Sequence, residues 1–242
     1  AEQLNAFESA DLQALSSTQL RSLTTSQVAG LSTLQVQNLT TAQVVALTST
    51  QLRALNSDQL NAIESADLQA LSSTLLQSLT TSQVATLSSD QLVNLTTSQV
   101  RALTSTQLRA LNSDQLNAIE SSDLQALTSS QLQTLTTDQV ASLSTTQVQT
   151  LTTAQVASLS STQVGSLTSD QLNALESNDL QALTTAQMPG LTTSQLATMA
   201  TSQLELLTSA QVRGFATEQI ASFTSDQLPL LTTAQVAALT TT

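Results

Sequence analysis

Two apolar positions recur every eight residues along the whole chain. With position a set at residue 7 and every eighth residue after it, all thirty a positions are apolar. So are all thirty f positions, which run from Leu4 to Val236 and lie three residues before an a. Position c is Ser or Thr in all thirty copies from Ser9 to Thr241, and position e is Gln in 25 of 30. No insertion or deletion interrupts the series. The sequence is therefore built from octads, whose positions we letter a to h.

An octad fits neither a continuous helix nor a continuous strand. An α-helix turns roughly 100° per residue, so each octad would rotate the apolar pair by roughly 80° and no common apolar face would persist. In a strand, the odd spacings from a to f and from f to the next a would place successive apolar residues on opposite faces. The chain must therefore bend once per octad.

The residues around this bend are typical of a helix start. In residues 151–158, LTTAQVAS, Thr152 at b and Gln155 at e have the spacing of a capping box. Leu151 and Val156 lie where a hydrophobic staple would form. The pattern predicts one short capped helix per octad, from c to about h, and an all-α superhelical solenoid. The alternatives are a β-solenoid of Thr, Val and Leu, or a disordered linker. Frequent Ala and few Gly favour helices.

A second period of 56 residues, or seven octads, lies over the first. The sequence LTSTQLRALNSDQLNA occurs at 47–62 and again at 103–118. We expect residues 1–242 to form a single octapeptide-repeat solenoid, an excerpt of a longer array that supplies flanking repeats as partners. Its blocks arise by duplication, or because seven octads make a whole number of superhelical turns. The four blocks are 7–62, 63–118, 119–174 and 175–230.

A few octads depart from the pattern. Pro189 and Pro229 occupy position g, so either the helices end near f or these two octads are distorted. Leu75 replaces the glutamine at e and predicts a half-capped helix. Glycines at h, such as Gly190 and Gly214, suit a chain corner.

Composition excludes several classes of function. Five Arg against 17 acids give a net charge of −12, which predicts no binding to nucleic acid or anionic membranes. No apolar run approaches the roughly 20 residues of a membrane span, so we expect no membrane insertion. The chain has no His, Cys, Lys or Tyr, so it lacks the usual bases and nucleophiles apart from hydroxyls and carboxylates. We expect no enzyme activity, no catalytic residue and no cofactor.

Paired carboxylates are the remaining candidates for chemistry. Once per block, an acid at b is followed by an acid at e, three residues later. The simpler interpretation is that acids favour a helix start through its dipole. The alternative is calcium binding, although nothing resembles an EF-hand loop. The candidate residues are Glu8, Asp11, Glu64, Asp67, Glu120, Asp123, Glu176 and Asp179.

The octad L-[ST]-[ST]-x-Q-[VL]-x-x resembles a known class of tandem repeat. Its copies include LTTSQVAG at 23–30 and LTTAQVAS at 151–158. Similar octapeptides occur in very long bacterial surface or secreted proteins that are often labelled adhesins or haem-utilisation proteins. The resemblance covers the whole chain and implies a structural stalk, spacer or scaffold, located extracellularly or on the cell surface. It carries over no catalytic residue. The alternative function is a ligand-binding scaffold that holds a peptide, glycan or calcium, with an unidentified host or cell-surface ligand.

Overall fold

A computed structural model describes residues 7–239, and these contain short helices and no strand. The predicted all-α solenoid is confirmed, and the β-solenoid alternative is wrong. The chain divides after Ala126 into two compact units. Each unit is built from stacked octads in the same way. The prediction of one continuous solenoid over 1–242, with its four blocks, stays a prediction.

Every described α-helix begins at position c and is four to seven residues long. In the first unit the helices are Ser9–Gln13, Ser17–Ser22, Thr25–Ala29, Thr33–Gln37, Thr41–Val44, Ser49–Ala54, Ser57–Ala62, Ser65–Ala70, Ser73–Ser78, Thr81–Val84, Ser89–Val93, Thr97–Ala102, Ser105–Ala110, Ser113–Ala118 and Ser121–Gln125. In the second they are Ser129–Gln133, Thr137–Ser142, Thr145–Gln149, Thr153–Ser158, Ser161–Ser166, Ser169–Ala174, Ser177–Ala182, Thr193–Ala197, Thr201–Leu206, Ser209–Arg213, Thr217–Ile220 and Thr233–Leu239. Two 3₁₀ turns, Met188–Gly190 and Leu228–Leu230, complete the second unit.

The common starting point follows from the predicted capping box. In one copy, the Gln107 N–H donates to Thr104 Oγ1 at 3.2 Å, and the Thr104 N–H donates to Gln107 Oε1 at 2.9 Å. Both bonds satisfy backbone donors that a helix start would otherwise leave unpaired. Where Leu75 replaces the glutamine, only the first half of the box remains, as the sequence predicted.

In many octads the helix ends at h because the next a residue is in extended backbone, as at Leu55, Leu71 and Leu111. Leu55 has φ −67° and ψ 135°, and its N–H donates to the Leu52 carbonyl three residues earlier. This three-residue hydrogen bond closes the last turn of the helix. The extended a residue then places the following b residue at the N-cap of the next helix. Bending is therefore built into every octad.

Packing pairs each helix with the helix three octads later in the same unit. Thr33–Gln37 contacts Ser57–Ala62, and Thr153–Ser158 contacts Ser177–Ala182. Between them lies an aliphatic core of a and f side chains, such as Leu52 and Leu55, which are 0% and 3% exposed. Because each helix is too short to be stable alone, this packing between turns supplies its stability.

The proline and glycine octads show two different effects. Pro189 and Pro229 lie in the two 3₁₀ turns, so distortion is the correct one of the two outcomes predicted for them. Gly30 and Gly214 at position h are the C-cap residues of their helices, with φ of −85° and −75°. Gly190 is instead needed for close approach, since a Cβ there would overlap the Ser161 carbonyl of an earlier turn.

Candidate functional site

The glutamine at position e joins two turns of the solenoid. Gln99 is 2% exposed, and its Oε1 accepts the Thr96 N–H in the capping box. Its Nε2 donates to the carbonyls of Leu68, Gln69 and Leu71, at 3.0, 3.1 and 2.9 Å. These carbonyls belong to the end of a helix one turn earlier. One side chain therefore caps the start of its own helix and the end of another.

The same arrangement recurs through both units. In the first unit Gln51 Nε2 donates to the Leu23 carbonyl at 2.9 Å, and in the second Gln211 Nε2 donates to the Leu183 carbonyl at 2.8 Å. Both bonds span 28 residues, from position e of one octad to position a of the octad three earlier.

Sequence reasoning found the first function of this glutamine and missed the second. A capping box accepts Glu as readily as Gln, because only the side-chain oxygen is used. Position e nevertheless contains Gln in 25 copies and Glu in none. That preference was the available signal, because only the amide supplies N–H donors as well as an acceptor.

The predicted acid pairs separate into two environments. The glutamates at b, Glu8, Glu64, Glu120 and Glu176, are exposed N-cap residues whose side chains make no capping hydrogen bond. The aspartates at e lie in the first helical turn, where the helix dipole favours an acid. Asp11 is exposed, whereas Asp67, Asp123 and Asp179 are buried.

Each buried aspartate accepts a hydrogen bond from a threonine one turn earlier. Thr41 Oγ1 donates to Asp67 Oδ1 at 2.6 Å. Thr97 makes the same bond to Asp123 at 2.6 Å, and Thr153 makes it to Asp179 at 2.7 Å. A carboxylate cannot donate to carbonyls as glutamine does, so the hydroxyl supplies the link between turns instead.

The number of acids in one place bears on the predicted calcium sites. Among residues 7–239, no three or more acids come close enough together to hold an ion. The calcium candidates Glu64 and Asp67 therefore offer at most two carboxylates, one of which is already bonded to Thr41. In the same part of the chain, no helix has the length and hydrophobicity needed to cross a membrane.

Comparison with known proteins agrees with this architecture. No curated protein matches the chain. Seven segments match one family of repeats, described as the ALTTAQ repeat, and leave only residues 1–3, 42–59 and 242 outside: 4–41, 60–97, 92–118, 116–153, 148–177, 172–209 and 206–241. The chain therefore belongs to the ALTTAQ repeat family.

Proposed function

We propose that this chain is a structural segment, a stalk or spacer, of a bacterial cell-surface or secreted protein of the kind that includes adhesins. The observation that carries the proposal is the use of the buried polar groups. The amide oxygen and the amide nitrogen of Gln99 both form hydrogen bonds within the repeat array, and Asp123 accepts a hydrogen bond from Thr97. The most polar buried side chains thus hold turns together.

The outward surface supports the same function. Between its buried positions the octad presents mainly Ser, Thr and Ala, which provide little area for specific recognition. The sequence has no His, Cys, Lys or Tyr to act as a base or nucleophile beside its hydroxyls and carboxylates, and we propose no catalytic role. The excess of acids further disfavours nucleic acid as a partner.

A surface-accessibility experiment tests this proposal. Antibodies against the 242-residue chain should label intact bacteria that produce the parent protein, or detect the chain in the culture medium. External protease should remove the cell-associated signal. Labelling only after lysis, with no chain in the medium, would contradict a surface or secreted location.

A second test separates the spacer from the calcium-binding form of the ligand scaffold. Replacing Glu64 and Glu120 with Thr, and Asp67 and Asp123 with Gln, converts two acidic octads to the consensus. We expect millimolar calcium, at matched ionic strength, to leave the melting temperature of both proteins unchanged. A rise confined to the parent would show calcium bound to the folded state and would favour the scaffold.

A further inference from the structure

The three buried aspartates at position e leave backbone carbonyls of the earlier turn without a hydrogen bond. Where position e is Gln99, its Nε2 donates to the Leu71 carbonyl, 28 residues earlier, at 2.9 Å. A carboxylate has no N–H donor, so the equivalent carbonyl before each aspartate lacks that bond. No group in residues 7–239 donates a hydrogen bond to these three carbonyls, which belong to Leu39, Leu95 and Leu151.

Both members of each carbonyl and aspartate pair are buried. The three leucines are buried, and so are the matching aspartates, Asp67, Asp123 and Asp179. The bond from Thr41 Oγ1 to Asp67 Oδ1, at 2.6 Å, holds the aspartate against the segment that contains Leu39. Buried backbone carbonyls normally have a hydrogen-bond partner. An unpaired carbonyl that recurs at one position of three successive blocks therefore points to a partner from outside the chain.

The groups that meet at this position present oxygen atoms. In the first copy they are the Asp67 carboxylate, the Leu39 carbonyl and the Thr41 hydroxyl, which donates its hydrogen to the carboxylate. The carbonyl follows the end of helix Thr33–Gln37, where the helix dipole is negative. Backbone carbonyls at the ends of interrupted helices are suitable ligands for Na⁺. A carboxylate, a carbonyl and a negative helix end together favour a cation.

The number of charges selects a monovalent ion. Each copy has one buried carboxylate, and Glu64, the other acid of the first pair, is an exposed N-cap residue. Ca²⁺ takes roughly six to eight oxygen ligands, commonly with several carboxylates. Residues 7–239 contain no group of three acids that could supply them. One carboxylate balances the charge of one Na⁺ or K⁺, and the carbonyl and hydroxyl oxygens are neutral ligands.

We propose that each of the three buried aspartates helps to bind a monovalent metal ion, Na⁺ or K⁺, between two turns of the solenoid. The ligands are the aspartate carboxylate, the unpaired leucine carbonyl and the hydroxyl of the threonine that bonds to the aspartate. The ion takes the place of the glutamine amide nitrogen as the link to the carbonyl. This site goes beyond the spacer function and does not depend on it.

Thermal unfolding of the 242-residue chain in three chloride salts tests the proposal. NaCl and KCl are compared, at equal ionic strength, with tetramethylammonium chloride, whose cation is too bulky to contact the three oxygen groups at once. We expect a melting temperature that is a few degrees higher in NaCl or KCl, by a difference that grows with concentration. The reason is that an ion that binds only the folded state stabilises it. The sodium NMR signal should also broaden in the presence of the protein.

Two triple variants separate the proposed site from general effects of salt. The first restores the consensus residue, with its donor to the carbonyls, and should lose the response to Na⁺ and K⁺: Asp67→Gln, Asp123→Gln and Asp179→Gln. The second removes the same charge from exposed d positions and should keep the response: Asp58→Gln, Asp114→Gln and Asp170→Gln. Because the first variant contains the consensus glutamine, its loss of response cannot be attributed to unfolding.

Two results would overturn the proposal. Equal responses of the parent and the first variant would show that the salt effect does not depend on the buried aspartates. Equal melting temperatures of the parent in all three chlorides, with no broadening of the sodium signal, would assign water as the partner of the carbonyls.

Discussion

Replacing Gln99 with Glu isolates the contact between turns from the capping box. The new carboxylate keeps an oxygen that accepts the Thr96 N–H. It has an oxygen where glutamine has Nε2, so the three hydrogen bonds to carbonyls of the earlier turn are lost. At about 1 kcal/mol for each lost bond, the variant loses about 3 kcal/mol. The negative charge also faces carbonyl oxygens in a site that is 2% exposed, which adds to the loss.

Acid should reverse part of this effect. Burial beside carbonyl oxygens raises the pKa of the introduced carboxyl group in the folded state above its unfolded value. The folded state then binds more protons than the unfolded state between those two pKa values, so stability rises as the pH falls. The protonated group can also donate its O–H to a carbonyl. The deficit relative to the parent should therefore be largest at pH 7 and smaller near pH 4.

Urea unfolding followed by far-ultraviolet circular dichroism measures these differences. Gln19→Glu is the matched control, because Gln19 is exposed and completes a capping box with Ser16 in an octad that has no earlier turn beneath it. It should change the free energy of unfolding by no more than about 0.5 kcal/mol. Equal effects of Gln99→Glu and Gln19→Glu would refute the contribution of the bonds between turns.

Three further substitutions test individual contacts by the same unfolding assay. Ala216→Thr should stabilise the protein by about 1 kcal/mol, because it completes a capping box in which Gln219 Oε1 already accepts the Ala216 N–H at 2.7 Å. An unchanged free energy of unfolding would contradict this prediction. Thr97→Val should destabilise by about 1–3 kcal/mol, because it leaves buried Asp123 without its hydroxyl donor. Thr145→Val, at the same octad position, should have little effect, because the residue 26 positions later is Gln171 and not an aspartate. Gly190→Ala should destabilise the protein more than Gly214→Ala. A Cβ at residue 190 would overlap the Ser161 carbonyl, whereas a Cβ at residue 214 would lie 3.0–3.1 Å from its nearest neighbours. A larger loss for Gly214→Ala would contradict the close approach at Gly190.

The sequence predicted the local structure well because capping and bending act within one octad. Thr104 and Gln107 are three residues apart, and their spacing alone specifies the box. The partners of Gln99 lie 28 to 31 residues away, and finding them requires the number of octads per turn. Local pattern does not contain that number, so only the preference for Gln over Glu pointed to a second contact.

The links made by single residues were harder to predict. All thirty c positions from Ser9 to Thr241 are Ser or Thr, so nothing in the sequence distinguishes Thr97 as the partner of Asp123. Gly190 was assigned to a corner because glycine is common there, whereas its neighbour across the turn decides its role. Ala200 lacks the hydroxyl of a usual N-cap, but the sequence does not show that Asn173 Oδ1 accepts its N–H and leaves Gln203 Oε1 without a hydrogen bond.

The melting temperature as a function of octad number tests the central claim, that order arises from contacts between turns. Residues 7–30 span three octads and contain no pair of helices three octads apart, so this chain should be unfolded. Chains of residues 7–62, 7–118 and 7–230 should be helical by circular dichroism, with melting temperatures that rise with length. The same melting temperature for the 7–62 and 7–230 chains, or a folded 7–30 chain, would contradict the account.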